Sequence, residues 1–270
     1  MLKYFYIEST KISCWTNTEN VDAQKNTLVF IHGSGGNHSI WSHQYGKLHK
    51  RYNIAAVNLP GHGHSEGDGE QTIQNYCDWM RKILAALGLT KPVLVGHSLG
   101  AAIALDFALR YPSDIAGIVC IGAGLKMPVN AFFLEYLQTH PPDIPAEIID
   151  LICKFSLAKE NRERLSGPLR KSLALSRVDV LYGDLLACNT LDLSHDAARI
   201  SVPVFIVCGA EDKMTPPDLS RALAQQIGGA KLSMIEGAGH TVMIEKPVYF
   251  NNALEKFAES VFPASTLLKN

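Results

Sequence analysis

The stretch GHSLGAA at residues 96–102 sets a serine between two glycines, just after the apolar run KPVLV and just before the helix-like run AAIALDFALR. A sharp turn from strand to helix strains the backbone of its central residue. Side chains two places away would collide with the adjoining strand and helix, which accounts for Gly96 and Gly100. The same turn lifts Ser98 Oγ clear of the sheet edge and sets the positive end of the following helix under a developing oxyanion. The chemistry this permits is nucleophilic attack, and a neutral hydroxyl is a weak nucleophile that needs a base.

Ten histidines compete for that role. Ligands of open α/β sheets gather beyond the carboxyl ends of the strands, so the base belongs in a loop that follows a strand. His240 in SMIEGAGHT satisfies this. His140 and His195 fall in a helical region, and His97, adjacent to Ser98, is expected to point elsewhere. The acid that orients the imidazole should follow a strand as well. Asp212 in FIVCGAEDKMTPP does, with Glu211 as its close rival.

The elements that must position these residues read as short, nearly continuous apolar runs: NTLVFIHG, YNIAAVNLPG, KPVLVG, IAGIVCIGAG, VPVFIVCGAED and AKLSMIEGAG. Such runs are typical of parallel strands buried on both faces. Between them lie amphipathic helices. TIQNYCDWMRKILAALG aligns Ile73, Cys77, Met80, Leu84 and Leu87, and PVYFNNALEKFAESV aligns Phe250, Leu254, Phe257 and Val261 behind Pro247. The alternation predicts an α/β fold with a doubly wound, mostly parallel sheet. From residue 125 to 195 the strands stop. AEIIDLICKFSLAK and LRKSLALSRVDVLYGDLLACN are helical in pattern, separated by THPPDIP and RLSGP. This predicts a core domain of residues 1–124 and 196–270 with a helical cap at 125–195.

With 270 residues, 47% of them hydrophobic and 19% charged, the chain is of ordinary globular composition. A formal net charge of −1 argues against a dedicated nucleic-acid surface. The six cysteines are scattered without a C-x-x-C pair, as in a reduced, cytoplasmic protein. No run approaches the roughly 18 apolar residues of a membrane-spanning helix.

Taken together, HGSGG at 32–36, NLPGHGHS at 58–65, GHSLG, VPVFIVCGAED and GAGH resemble the α/β-hydrolase superfamily over nearly the whole chain, in its serine esterase and lipase-like branch. The resemblance implies a nucleophile at Ser98, a general base and acid at His240, and an orienting carboxylate at Asp212. It places the oxyanion hole at the backbone N–H groups of Leu99 and Ser34, with Gly33 or Gly35 as other donors for the second position. It implies hydrolysis of a carboxylic ester through an acyl-enzyme, without metal or cofactor. Thioesterases, C–C bond hydrolases, cofactor-free lyases and perhydrolases of the superfamily share this triad. A ligand-sensing binding protein of the same fold with slow turnover is a further alternative. Relatives with an aspartate nucleophile are disfavoured by Ser98.

His62 and His64 could open a metal cluster, but the zinc pattern H-x-H-x-D-H needs Asp at 66 and His at 67, where Glu66 and Gly67 stand. A glycine-rich turn near the site mouth is the plainer reading, and His32 reads as a packed residue bracing its loop. Substrate choice should come from the cap, where Phe132, Phe133 and Tyr136 are candidate contacts for an apolar acyl or alcohol group. Its later part carries Lys154, Lys159, Arg162, Arg164, Arg170, Lys171 and Arg177 against Glu160 and Glu163. That excess suits a solvated surface, or the guidance of an acidic partner such as a carboxylate-bearing ester or an acyl carrier protein.

Overall fold

A computed structural model describes residues 1–139 and 143–262. His140 therefore lies outside the described residues. Among the described residues eight strands form one sheet: β1 (Leu2–Ile7), β2 (Thr10–Thr16), β3 (Thr27–Ile31), β4 (Asn53–Val57), β5 (Val93–His97), β6 (Gly117–Ile121), β7 (Val204–Gly209) and β8 (Lys231–Ile235). Their spatial order is β1-β2-β4-β3-β5-β6-β7-β8. From β4 to β8 every neighbouring pair is parallel, while β1 and β2 add an antiparallel edge. The six apolar runs correspond to β3 through β8. β1 and β2 lie outside those runs, because lysine, serine and threonine interrupt their apolar residues at an edge where one side faces water.

Among the described residues the α-helices are α1 (Ser42–Leu48), α2 (Ile73–Ala86), α3 (Leu99–Arg110), α4 (Ala131–Gln138), α5 (Ala146–Ser156), α6 (Arg162–Leu173), α7 (Val178–Thr190), α8 (Pro217–Gln226), α9 (Val242–Glu245) and α10 (Pro247–Val261). The alternation of the strands divides the core. Val29, Ile31, Leu94, Ile118, Cys120 and Ile206 face α2, α3 and α8, whereas Leu28, Phe30, Val95, Val119, Ile121 and Val207 face α1, α9 and α10. Each fully buried Val, Leu, Ile or Phe favours the folded chain by about 1.5–3 kcal/mol, against the entropy of ordering it.

Between β6 and β7 run α4 to α7, with a third apolar cluster of their own built on Leu137, Ile148, Ile149, Cys153, Leu173, Val178 and Leu181. A β-bridge joins Lys126 to Asp192 there. One expectation is corrected: RLSGP is not a separator but lies inside α6, with Pro168 in the helix. Pro168 removes a single backbone hydrogen bond. The apolar anchors Leu165 and Leu173 on either side of it are both buried, so the helix continues through it. All six cysteines are buried and free. Among the described residues no helix is long and apolar enough to cross a membrane.

Candidate active site

Ser98 is the whole connection between β5 and α3, and it sits at φ 52° and ψ −115°. An L-residue held there costs on the order of 1–3 kcal/mol, which the surroundings must offset. They do so by hydrogen bonds: Ser98 N–H donates to Ile121 O at 2.8 Å, and Ser98 O accepts from the N–H of Ala101 and of Ala102. A Cβ on Gly96 would lie 2.1 Å from Gly100 O, and one on Gly100 would lie 2.3 Å from Ile31 O. No side chain fits at either place, so the two glycines let α3 start directly at the end of β5.

The loops after β7 and β8 bring Asp212 and His240 together, with Asp212 Oδ2 2.9 Å from His240 Nδ1. Oδ1 of Asp212 accepts the N–H groups of Met214 and Thr215, and Oδ2 also accepts the Thr215 hydroxyl. Burial pushes the Asp212 carboxyl up. His240 and the Thr215 donors more than offset this and hold it below its ordinary range. A carboxylate only accepts, so Nδ1 of His240 carries the proton and the lone pair of Nε2 is left to act as a base. Glu211 takes no part: its carboxylate accepts the Lys159 N–H instead.

The main chain of His240 is fixed from several directions. Its N–H donates to Ser156 O at 2.7 Å, and its carbonyl accepts from His97 Nε2 at 3.1 Å. The buried Glu245 receives the N–H groups on both sides, those of Gly239 and Thr241, and reaches Ala158 N–H and Asn161 Nδ2 with its other oxygen. Burial, followed by the proximity of His240, lowers His97 to about 3, so this imidazole is a neutral brace.

No hydrogen bond among the described residues takes up the N–H of Ser34 or that of Leu99. Ser34 and Ser98 both line a cavity of about 460 Å³ that is walled mainly by apolar side chains. Met127, Val129, Phe133, Phe155, Leu181 and Leu185 supply much of that wall, most of it from the helices between β6 and β7, and Lys213 and Thr215 lie beside the Asp212–His240 pair. Phe133 lines the cavity. Phe132 instead is 54% exposed and stacks on Tyr136, and neither of those two rings is part of the lining. Several of the expected cap cations are engaged elsewhere. Arg170 pairs with Asp150, Arg177 with Asp68 and Asp179, and Arg162 and Arg164 reach backbone carbonyls.

His62 has a partner far away in the sequence. His62 Nε2 lies 2.9 Å from Oδ2 of Asp184, a fully buried residue of α7, and His62 Nδ1 lies 2.9 Å from Pro60 O. Both ring nitrogens face acceptors, so both donate and His62 is an imidazolium. Burial alone would lower its pKa, but the Asp184 charge and the hydrogen bonds outweigh burial and raise it. Asp184 also accepts the Gly35 N–H at 2.8 Å and the Tyr76 hydroxyl. His32 is the neutral neighbour: Leu59 N–H donates to its Nε2 and its Nδ1–H donates to Gly33 O. Among the described residues no group of three or more His, Cys, Asp or Glu side chains could hold a metal ion.

A serine at a strained elbow and on an apolar cavity, a carboxylate–imidazole pair in the loops after β7 and β8, and two unengaged N–H groups are the parts that acyl transfer requires. Known proteins share this fold. A family model described as alpha/beta hydrolase fold matches residues 26–247. A thermophilic esterase of known structure is 31% identical, with a TM-score of 0.80 over 97% of this chain and 99% of that one. A hydrolase from Pseudomonas aeruginosa superposes with a TM-score of 0.87 at 22% identity, over 96% of this chain and 98% of that one. A putative carbamate hydrolase, RutD, of Cronobacter turicensis is 25% identical over 246 residues, covering 88% of this chain and 92% of the relative. The chain is a member of the α/β-hydrolase family.

Proposed function

We propose that the protein is a serine hydrolase that cleaves carboxylic esters with a partly apolar acyl or alcohol group. The observation that carries the reading is the meeting of Ser98 and Ser34, with its free N–H, on one apolar cavity whose lining includes Thr215, the residue hydrogen-bonded to both Asp212 and His240. In this reading Nε2 of His240 takes the Ser98 proton as Oγ attacks the ester carbonyl. The N–H groups of Ser34 and Leu99 hold the oxyanion, and His240 then hands the proton to the leaving alcohol. Water, deprotonated by the same imidazole, releases the acid from the acyl-enzyme. Residues 125–195 act as the cap that walls the acyl group from solvent. The likeness to a thermophilic esterase supports this choice of bond.

A series of p-nitrophenyl esters of increasing chain length tests the proposal, with wild type and Ser98→Ala side by side. Each methylene that enters the cavity should add about 0.8 kcal/mol, roughly fourfold in kcat/KM, until the cavity is full. Ser98→Ala should lose turnover by about 10⁶. A Ser98→Ala variant that keeps more than a few per cent of wild-type turnover would contradict the reading.

A further inference from the structure

We propose that Asp184 is a positioning residue for ester hydrolysis: from α7 its carboxylate fixes the peptide that follows Ser34, and so keeps the Ser34 N–H aimed at the oxyanion. The inference rests on the Ser98 reading and deepens it. Ser34 lies between two peptide planes, and each is held at a definite atom. In the Gly33–Ser34 peptide, the carbonyl accepts from His32 Nδ1–H at 2.9 Å and from Gly36 N–H at 3.0 Å. A trans peptide points its N–H opposite to its carbonyl, so these two donors set the direction of the Ser34 N–H. In the Ser34–Gly35 peptide, the N–H donates to Asp184 Oδ2 at 2.8 Å.

Gly35 is clamped from its other side as well. Its carbonyl accepts the Ser176 hydroxyl, so both of its backbone polar groups are held by the segment between β6 and β7. It sits at φ +61°, and a Cβ there would come 3.1 Å from Ser176 Oγ and 3.2 Å from Leu181 Cδ1. The α7 region is therefore packed directly on the loop that carries the candidate oxyanion donor.

Asp184 is itself held rigidly. The imidazolium of His62 donates to the same Oδ2 as Gly35 and the hydroxyl of Tyr76 donates to Oδ1, and Tyr76 in turn accepts the Glu70 N–H. The groups facing His62 are Asp184 from α7, Tyr76 from α2, the neutral His32 ring at 4.7 Å and, further off, Arg177 ahead of α7. Burying an ion pair is a weak source of net stability, because desolvation consumes most of the attraction. What this pair supplies is a fixed oxygen at a fixed place. Asp184 does not line the cavity, so it acts through Gly35 and not on substrate.

The test compares Asp184→Ala and Asp184→Asn with wild type and Ser98→Ala on a short p-nitrophenyl ester, after thermal unfolding has shown which variants are folded. An alkyl boronic acid, which places a tetrahedral anion on the serine, reads the oxyanion hole independently. Removing one oxyanion donor outright costs about 10²–10³ in kcat, so a misaimed donor in Asp184→Ala should cost about 30- to 100-fold, with KM changed by less than about threefold. Boronic acid affinity should fall by a similar factor. Asp184→Asn keeps one acceptor oxygen but loses the charge, and should lose about five- to tenfold in kcat. It decides the matter alone if the alanine variant does not fold. A folded variant with wild-type kcat, a loss confined to KM, or a fall in kcat with unchanged boronic acid affinity would each overturn the role of Asp184. If Ser98→Ala stays active, it is the serine reading that fails. An inert Ser98→Ala beside fully active Asp184 variants sinks only this inference.

Discussion

Ser98 carries its φ of 52° only because the residues around it leave the chain no other path. The same dependence holds for its proposed partners. Asp212 stays a carboxylate although only 3% exposed, since two N–H groups, a hydroxyl and an imidazole all donate to it. Asp212→Asn keeps the shape but can hold His240 in the wrong tautomer, and kcat should fall by about 10⁴. The folded-state pKa of Asp212 is depressed, so its contribution to stability is present above the unfolded value and is lost as pH falls through the folded one. The Tm gap between wild type and Asp212→Asn should therefore narrow below about pH 4; a gap that is constant from neutral pH into that range would contradict the assignment of charge. That Ser98, Asp212 and His240 each lie just beyond a strand was legible, because each follows an apolar run at a glycine-rich turn. The choice between Asp212 and Glu211 was not, since one residue of turn geometry decides it. Asp184 was not legible at all: it reads as a polar helix residue, and its partners His62 and Gly35 lie 122 and 149 positions away.

At the scale of elements, the junction of β5 with α3 is the tightest feature of the site. Gly100→Ala would put a methyl group 2.3 Å from Ile31 O, so strand or helix must move. The expected cost is about 1–3 kcal/mol in stability, together with a fall in kcat far larger than the change in KM. Circular dichroism melts and ester kinetics on one preparation check both, and a variant with wild-type values in each would show that the elbow has slack. The helices between β6 and β7 were legible in kind but not in detail. Gly167-Pro168 signals a break, yet α6 runs through it. Period alone does not fix which aromatic ring of α4 faces the cavity, because Phe132, Phe133 and Tyr136 lie near one another on a helix whose orientation comes from packing against α7. Phe133 faces inward as a result, and Phe132 is turned to solvent.

At the scale of the molecule, the parallel strands β3 to β8 form a platform whose carboxyl ends carry every candidate catalytic group, and the helices between β6 and β7 complete the cavity above it. The platform was readable from sequence because strands buried on both faces must be apolar throughout. The antiparallel edge β1–β2 was not, and neither was the cavity, whose wall combines residues from Ser34 to Leu219. Two buried carboxylates bind these layers at the site: Asp184 joins α7 to the loop after β3, and Glu245 joins the loop of His240 to the chain after α5. Ester hydrolysis in that frame depends on one proposed nucleophile, Ser98. The most direct measurement is to react the intact protein with a fluorophosphonate, digest it, and locate the adduct by mass spectrometry. A single adduct on Ser98, formed as esterase activity disappears and absent from His240→Ala, is the expected result. An adduct on another residue, or full esterase activity in protein whose Ser98 is quantitatively labelled, would contradict it.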